Sequence, residues 1–307
     1  MTQDVTDLQT LLVLAVDERV DFCRELAGNR DEPTAADRER AAGLKRVVFD
    51  GLASAIEQGL PKSQAAVLTD ADLGEGVLLR ARAMSLAAAF AVDGSDEAGL
   101  ASTVTDEGWT RFQRMGASFL AVRTDYDPTA ALADREQSQR LLRSLSTKSR
   151  EESTKFLLEL APPVEEDGPE ERLAVLFESM RQLQDAGVEP AVWAFQPPSD
   201  ARSAAAVTAQ AHVDDRSGVT VLFTTGEGKA AEQISVDVSR GERAVARLAA
   251  RTAGAGGLLV GPEAYFGQLA LLTQEKAERT DVVAGISTHI RTLWDVFSDA
   301  RKTSNVT

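Results

Sequence analysis

Residues 187–195 read "GVEPAVWAF". Gly187 is a helix exit, Glu189 and Pro190 make a turn, and the apolar run that ends at Phe195 is too short for a helix. Such a run reads as a strand buried on both faces, as in a parallel sheet. Just upstream, Leu173, Leu176, Met180 and Leu183 recur at helical spacing and form one apolar stripe. The local unit is therefore a helix, a turn and a buried strand. The same alternation runs along the whole chain. Further buried strands read "LLVLAVD" (Leu11–Asp17), "AAVLTD", "AAAFAVD", "ASFLAVR", "FLLEL", "VTVLFTT" and "GLLVG", with amphipathic segments between them. In the first of these segments Leu44, Val48, Leu52 and Ile56 mark a helix that "QGLPK" closes.

Eight strands, each followed by a helix, in a chain of 307 residues predict an α/β fold, a (β/α)8 TIM barrel. A doubly wound open sheet is the competing arrangement, but it favours a glycine-rich first turn, and the first turn here is "DERVDF". Pro and Gly fall singly at turns, so the reading is one domain over 1–307, with flexible ends at 1–10 and 299–307.

Composition narrows the function. At 43% hydrophobic and 26% charged, the chain has ample apolar surface for a core and is unlike a disordered one. A net charge of −15 argues against nucleic-acid binding, which needs clustered Lys and Arg. Cys23 is the single cysteine, and His212 and His289 are the only histidines, so neither an internal disulfide nor a Cys/His zinc framework is available. The N-terminal "MTQDVTDLQT" lacks the basic region of a signal peptide, and no apolar run reaches membrane-spanning length. The expectation is a cytoplasmic protein without membrane or nucleic-acid partners. Monomer and homo-oligomer both stay open.

Barrel active sites lie at the C-terminal ends of the strands. Those ends carry Asp17, Asp70, Asp93, Arg123, Glu159, Gln196, Thr224 with Thr225, and the Gly261 turn. Each taken alone is as easily the place where polar sequence begins. An acid at four strand ends, with Arg123 able to grip an anion in bidentate fashion, reads as a ring that binds a polyol or carbonyl compound. Lys229, after "TTGEG" and Gly226, stands where barrels often bind phosphate; as a lysine in a helix's first turn it is more simply an exposed side chain.

The succession "LLVLAVDER", "VLTDADLGEGVLLRA", "AFAVDGSDE", "FLAVRTDYDP", "KFLLELAPP", "LQDAGVEPAVWAF" and "GLLVGPEAYFG" resembles the class I aldolase superfamily. It is most similar to the bacterial 2-deoxy-5-keto-gluconate-6-phosphate aldolases, with the tagatose-bisphosphate aldolases more distant. The resemblance implies a lyase of carbohydrate metabolism acting on a sugar phosphate through a Schiff base. It also implies a lysine ending the sixth strand, a second lysine on the fourth strand ahead of an arginine, and a phosphate-holding arginine ending the eighth. This chain has Ala194 at the first position, Phe119 or Ala121 at the second, and Pro262 at the third. No lysine occurs between Lys62 and Lys148, or between Lys155 and Lys229, so no shift of alignment restores either one.

The expected protein is an aldolase-like barrel, a pseudoenzyme candidate, that binds a sugar- or keto-acid-like ligand at its mouth without Schiff-base catalysis. The alternative is an active lyase or isomerase in which Asp17, Asp70, Glu159 and Arg123 surround the ligand and an acid/base pair moves protons, or in which Lys229 supplies a relocated amine. No cofactor is implied; if the acids hold a metal, oxygen ligands favour Mg2+ or Mn2+. An ion pair is expected between Arg123 and a neighbouring acid, close enough for a hydrogen bond. Either a pocket is expected beside Ala194, or neighbours such as Phe119 and Phe195 fill that space.

Overall fold

A computed structural model describes residues 10–17, 23, 33–92, 105–161, 168–226 and 236–304. Among them, eight parallel strands close into a barrel in sequence order: β1 (Leu11–Ala15), β2 (Ala65–Asp70), β3 (Ala87–Val92), β4 (Phe119–Thr124), β5 (Lys155–Leu160), β6 (Val192–Phe195), β7 (Thr220–Thr224) and β8 (Ala255–Val260). The helices α1 (Ala35–Glu57), α2 (Glu75–Ala83), α3 (Asp106–Met115), α4 (Leu132–Glu151), α5 (Pro169–Asp185), α6 (Ala201–Ala211) and α7 (Arg240–Arg251) each follow one strand, in that order. After β8 come α8 (Phe266–Thr273) and the long α9 (Arg279–Ser304). The fold is the (β/α)8 barrel read from the alternation. Because α9 continues to Ser304, residues 299–304 are helical rather than part of a flexible tail.

Local sequence fixes the helix starts. Thr34 and Asp37 form a reciprocal capping box on α1, and Ser239 with Glu242 form another on α7. Each satisfies backbone N–H groups that a helix start leaves open. Thr105 and Asp200 cap α3 and α6 in the same way with a single side chain.

Two apolar layers follow from the two-residue period of the strands. One parity points outward: Trp193, Phe195, Val221 and Phe223 pack against the helices with Leu44, Val48, Leu183 and Ile290. The other fills the barrel: Leu11, Val13, Ala15, Leu68, Phe119, Ala121, Leu157, Val192, Ala194, Leu222 and Leu259. Phe119 thus shares the interior with Ala194. Phe195 does not fill that space, since one step along a strand reverses the face, and its ring instead lies 5.6 Å from that of Phe223.

Closure falls on the seam of β8 with β1, where Leu11 pairs with Gly257. Gly257 has φ of +154°, and a β-carbon there would lie 1.9 Å from the Leu11 carbonyl oxygen. Only glycine permits that approach. The buried hydroxyl of Tyr265 also ties the seam, donating to the Ala15 carbonyl at 3.0 Å. Outside it, α9 packs against both α1 and α7.

Candidate functional site

The inward parity of each strand leads to the same end of the barrel. Asp70 lies two residues beyond Leu68, Arg123 beyond Ala121, Glu159 beyond Leu157, Gln196 beyond Ala194, Asp17 beyond Ala15 and Gly261 beyond Leu259, each of the latter an interior residue. All six stand at the C-terminal end of the barrel, where parallel polarity puts strand ends together. Asp93 and Lys229 lie outside the described residues.

Asp70 carries the best-defined interaction at this end. Its Oδ1 accepts from the Leu73 N–H at 2.7 Å. Its Oδ2 accepts from Nζ of Lys45, which α1 sends in from the helix layer. The Lys45 side chain is 1% exposed and that of Asp70 7%, so the pair is buried as a unit. Lys45 thus brings an amine to the Asp70 end of β2. The sequence held the signal, since Ala41, Lys45, Val48 and Leu52 lie on one helical stripe and all are buried.

Arg123 and Glu159 face each other across β4 and β5 as register partners. Their closest atoms, Nε and Oε1, are 3.6 Å apart. This is an ion pair, but too long for the expected hydrogen bond. The cause lies in their surroundings: the Glu159 side chain is 7% exposed while that of Arg123 is 52% exposed and reaches toward solvent. Glu159 is also the register partner of Ala194 on β6. The position where the resemblance requires a lysine amine is thus a fully buried methyl beside a buried carboxylate. Gln196, just beyond β6, is exposed.

The segment after Arg123 is held by a polar cluster. Tyr126 Oη donates to Gln182 Oε1 and accepts from Gln139 Nε2, both at 2.7 Å. Arg135 donates to the same Gln182 oxygen at 3.1 Å. Burial pushes the Tyr126 hydroxyl above its ordinary pKa, against the opposing hydrogen bond from Gln139 and charge of Arg135. Gln139 and Arg135 lie on α4 and Gln182 on α5, so these bonds anchor the exit of β4 to two helices.

The corner between β7 and β8 differs from expectation. Thr225 is buried, its N–H donates to the Leu259 carbonyl at 3.0 Å, and its hydroxyl has no hydrogen-bond partner among the described residues. The space over Gly226 and Gly261 is taken by the side chain of Glu263, itself only 8% exposed. A β-carbon on Gly226 would lie 3.2 Å from Glu263 Oε1, and one on Gly261 would lie 2.9 Å from Oε2. The missing side chains make room for the protein's own carboxylate.

The remaining candidates fall elsewhere. His212 bonds the Thr208 and Val219 carbonyl oxygens at 2.8 and 3.0 Å, at the end of α6. His289 is buried between α9 and α7, with Nε2 2.7 Å from Glu242 Oε1. Both are packing groups. Lys155 begins β5 and so stands at the far end of the barrel. Among the described residues no three His, Cys, Asp or Glu side chains converge to hold a metal ion, and no helix is long and apolar enough to cross a membrane.

A family profile described as an uncharacterized protein conserved in bacteria (DUF2090) matches residues 1–251. The chain belongs to the DUF2090 family. No curated protein matches the sequence. Among solved structures, the YdjI aldolase from Escherichia coli K12 is similar at 11% identity and a TM-score of 0.52, over 97% of this chain and 95% of that one. An archaeal fructose 1,6-bisphosphate aldolase is similar at 13% identity and 0.52, over 93% and 95%. Triosephosphate isomerase from Bartonella henselae is similar at 15% identity and 0.50, over 94% and 99%. At such identities the likeness is one of fold. This DUF2090 chain shares the (β/α)8 barrel fold with those proteins, and its chemistry rests on its own side chains.

Proposed function

We propose that this chain is a single aldolase-type barrel of the cytoplasm that binds a small polyhydroxylated or carbonyl ligand at its mouth and does not form a Schiff base on β4 or β6. One observation carries the reading: Ala194 is fully buried at the end of β6, with the Glu159 carboxylate as its neighbour across the sheet. An imine-forming amine must be present and must lose its proton before it attacks a ketone. The inward face of β4 offers Phe119, Ala121 and Arg123, and that of β6 offers Val192 and Ala194. Carboxylates at strand ends with one exposed guanidinium suit hydroxyl and carbonyl groups, which exchange hydrogen bonds with both. The sugar-phosphate aldolase fold of the structural neighbours supports a small-molecule ligand of this kind.

The test is borohydride trapping. Incubation with dihydroxyacetone phosphate or dihydroxyacetone, reduction and peptide mapping are expected to give no adduct, because no amine is placed on β4 or β6. An efficient, borohydride-sensitive cleavage activity would overturn the reading. The buried Lys45–Asp70 pair favours a second reading, in which a relocated amine works beside a carboxylate that can take its proton. An adduct mapped to Lys45, or to Lys229, would select that one.

A further inference from the structure

We infer that a second copy of this chain docks on the groove between α5 and α6, in a two-fold dimer that seats Phe177 of each copy against the alanine face of the other's α6. The inference is independent of any ligand at the mouth. At their C-terminal ends the two helices are tied together: Gln184 Nε2 donates to the Gln210 carbonyl at 3.1 Å, and Gln210 Nε2 donates to Gln184 Oε1 at 2.8 Å. Nearer their first turns lies a groove of about 440 Å³, lined by Glu170, Leu173, Ala174, Phe177, Glu178 and Ala206. Phe177 is 36% exposed and is the only aromatic among the exposed large apolar side chains of the described residues. The facing wall is made of alanine: Ala201, Ala205, Ala206 and Ala209 of α6 are all exposed. Side chains this small let a second helix approach closely.

The charges around the groove identify the occupant. Glu178 is satisfied on its own helix: Arg181 donates to its two carboxylate oxygens at 2.6 and 2.9 Å, and Gln182 donates at 2.8 Å. Glu170 stands in the first turn of α5, one turn before Ala174. Arg202 stands in the first turn of α6, one turn before Ala206 on the same face. Both are exposed, and among the described residues neither has an ion-pair partner. A cation in a helix's first turn opposes the positive end of the helix dipole, so Arg202 is better placed with an acid opposite it. A two-fold axis running along the groove sets α5 of one copy against α6 of the other, with the first turns at the same end. Glu170 of each copy then faces Arg202 of the other, which is the self-complementarity that a two-fold contact requires. Two short helices make a contact smaller than the roughly 800 Å² per partner of a standard interface. The dimer is therefore reversible, with half-association expected at about 10–100 μM.

The experiment is sedimentation equilibrium of the full chain from about 2 to about 500 μM. Salt at about 0.15 M screens the net charge of −15, which would otherwise oppose association. Wild type is expected to pass from monomer to dimer over that range. Phe177→Ser is expected to weaken association at least about tenfold while unfolding in urea near the wild-type midpoint, since the site is exposed. Arg202→Glu and Glu170→Arg each set like charges opposite one another twice in the dimer, and each alone should weaken it at least about tenfold. Mixed in equal amounts, these two variants should associate again, because every Glu then meets an Arg of the other variant. The mixture decides the question even if Phe177→Ser folds poorly. A wild type that stays monomeric throughout would overturn the proposal, as would a dimer that Phe177→Ser leaves unchanged. A mixture that associates no better than either variant alone would overturn it too, since Glu170 and Arg202 would then not meet. Assemblies that keep growing with concentration would replace the two-fold contact by a head-to-tail one and overturn it likewise.

Discussion

Replacing Lys45 by Met should be among the most damaging single changes outside the barrel seam. The substitution keeps the length of the buried stem and deletes the ammonium, leaving the Asp70 carboxylate inside the protein with the Leu73 N–H as its remaining described donor. Removing one partner of a buried ion pair costs about 3–5 kcal/mol. At 1% and 7% exposure the pair is close to fully desolvated, which puts it within that range rather than in the range of roughly 0–1 kcal/mol found for surface pairs. The expected loss corresponds to a factor of at least about 100 in the folding equilibrium. Urea unfolding reads it as a lower midpoint at unchanged slope. The decisive comparison is Lys45→Met with Asp70→Leu, which removes both charges and should recover most of the loss, giving a coupling energy of about 2 kcal/mol or more. A single-variant cost below about 1 kcal/mol, with additive effects in the double variant, would refute the account of the pair as a mutually dependent buried unit.

Gly257→Ala should cost more than about 3 kcal/mol or abolish folded protein, since its β-carbon would overlap the Leu11 carbonyl at the seam; near-native thermal stability would contradict this. Arg123→Ala, by contrast, should change stability by less than about 1 kcal/mol, because the side chain is half exposed and its pair is long, and a larger loss in urea unfolding would show that the pair tightens in solution. Glu242 supplies a pH dependence: burial alone would raise its pKa, but the hydrogen bond and charge of His289, together with the Ser239 cap, hold it below the ordinary 4.5. A lowered carboxylate stabilises the fold fully above the unfolded value and loses that contribution as pH falls through the folded one. Unfolding midpoints of wild type and Glu242→Gln should therefore converge as pH drops below 4.5, and a gap that widened there would reverse the sign.

Buried strands were the most legible part of the sequence, because a parallel sheet covered on both faces leaves continuous apolar runs such as "LLVLA" and "AVWAF" with no competing pattern. Strand polarity then placed Asp70, Arg123 and Glu159 at one end, and the two-residue period decides which residues point into the barrel. The same period separates Phe119, inside, from Phe195, outside, although both are phenylalanines of buried strands. Lys45 was harder. A lysine in a helix is normally solvated, and only its place on the Ala41–Leu52 stripe marks it as buried. Glu263 had no local signal at all: nothing in "VGPEAYFG" says that its side chain folds back over Gly226, 37 residues earlier and just past another strand. Distances of that kind depend on closure of the ring, which no segment reports by itself.

The Tyr265 hydroxyl and the Ala15 carbonyl are 250 positions apart in the chain. A ribosome adding about 5–20 residues per second emits β1 tens of seconds before the residues that complete its pairing. Through that interval β1 has β2 on one side and an open edge on the other, a template for the strands of neighbouring nascent chains. The barrel's first strand therefore depends on its last, and the rate of translation through β8 should govern how much of the newly made protein reaches solution instead of aggregate.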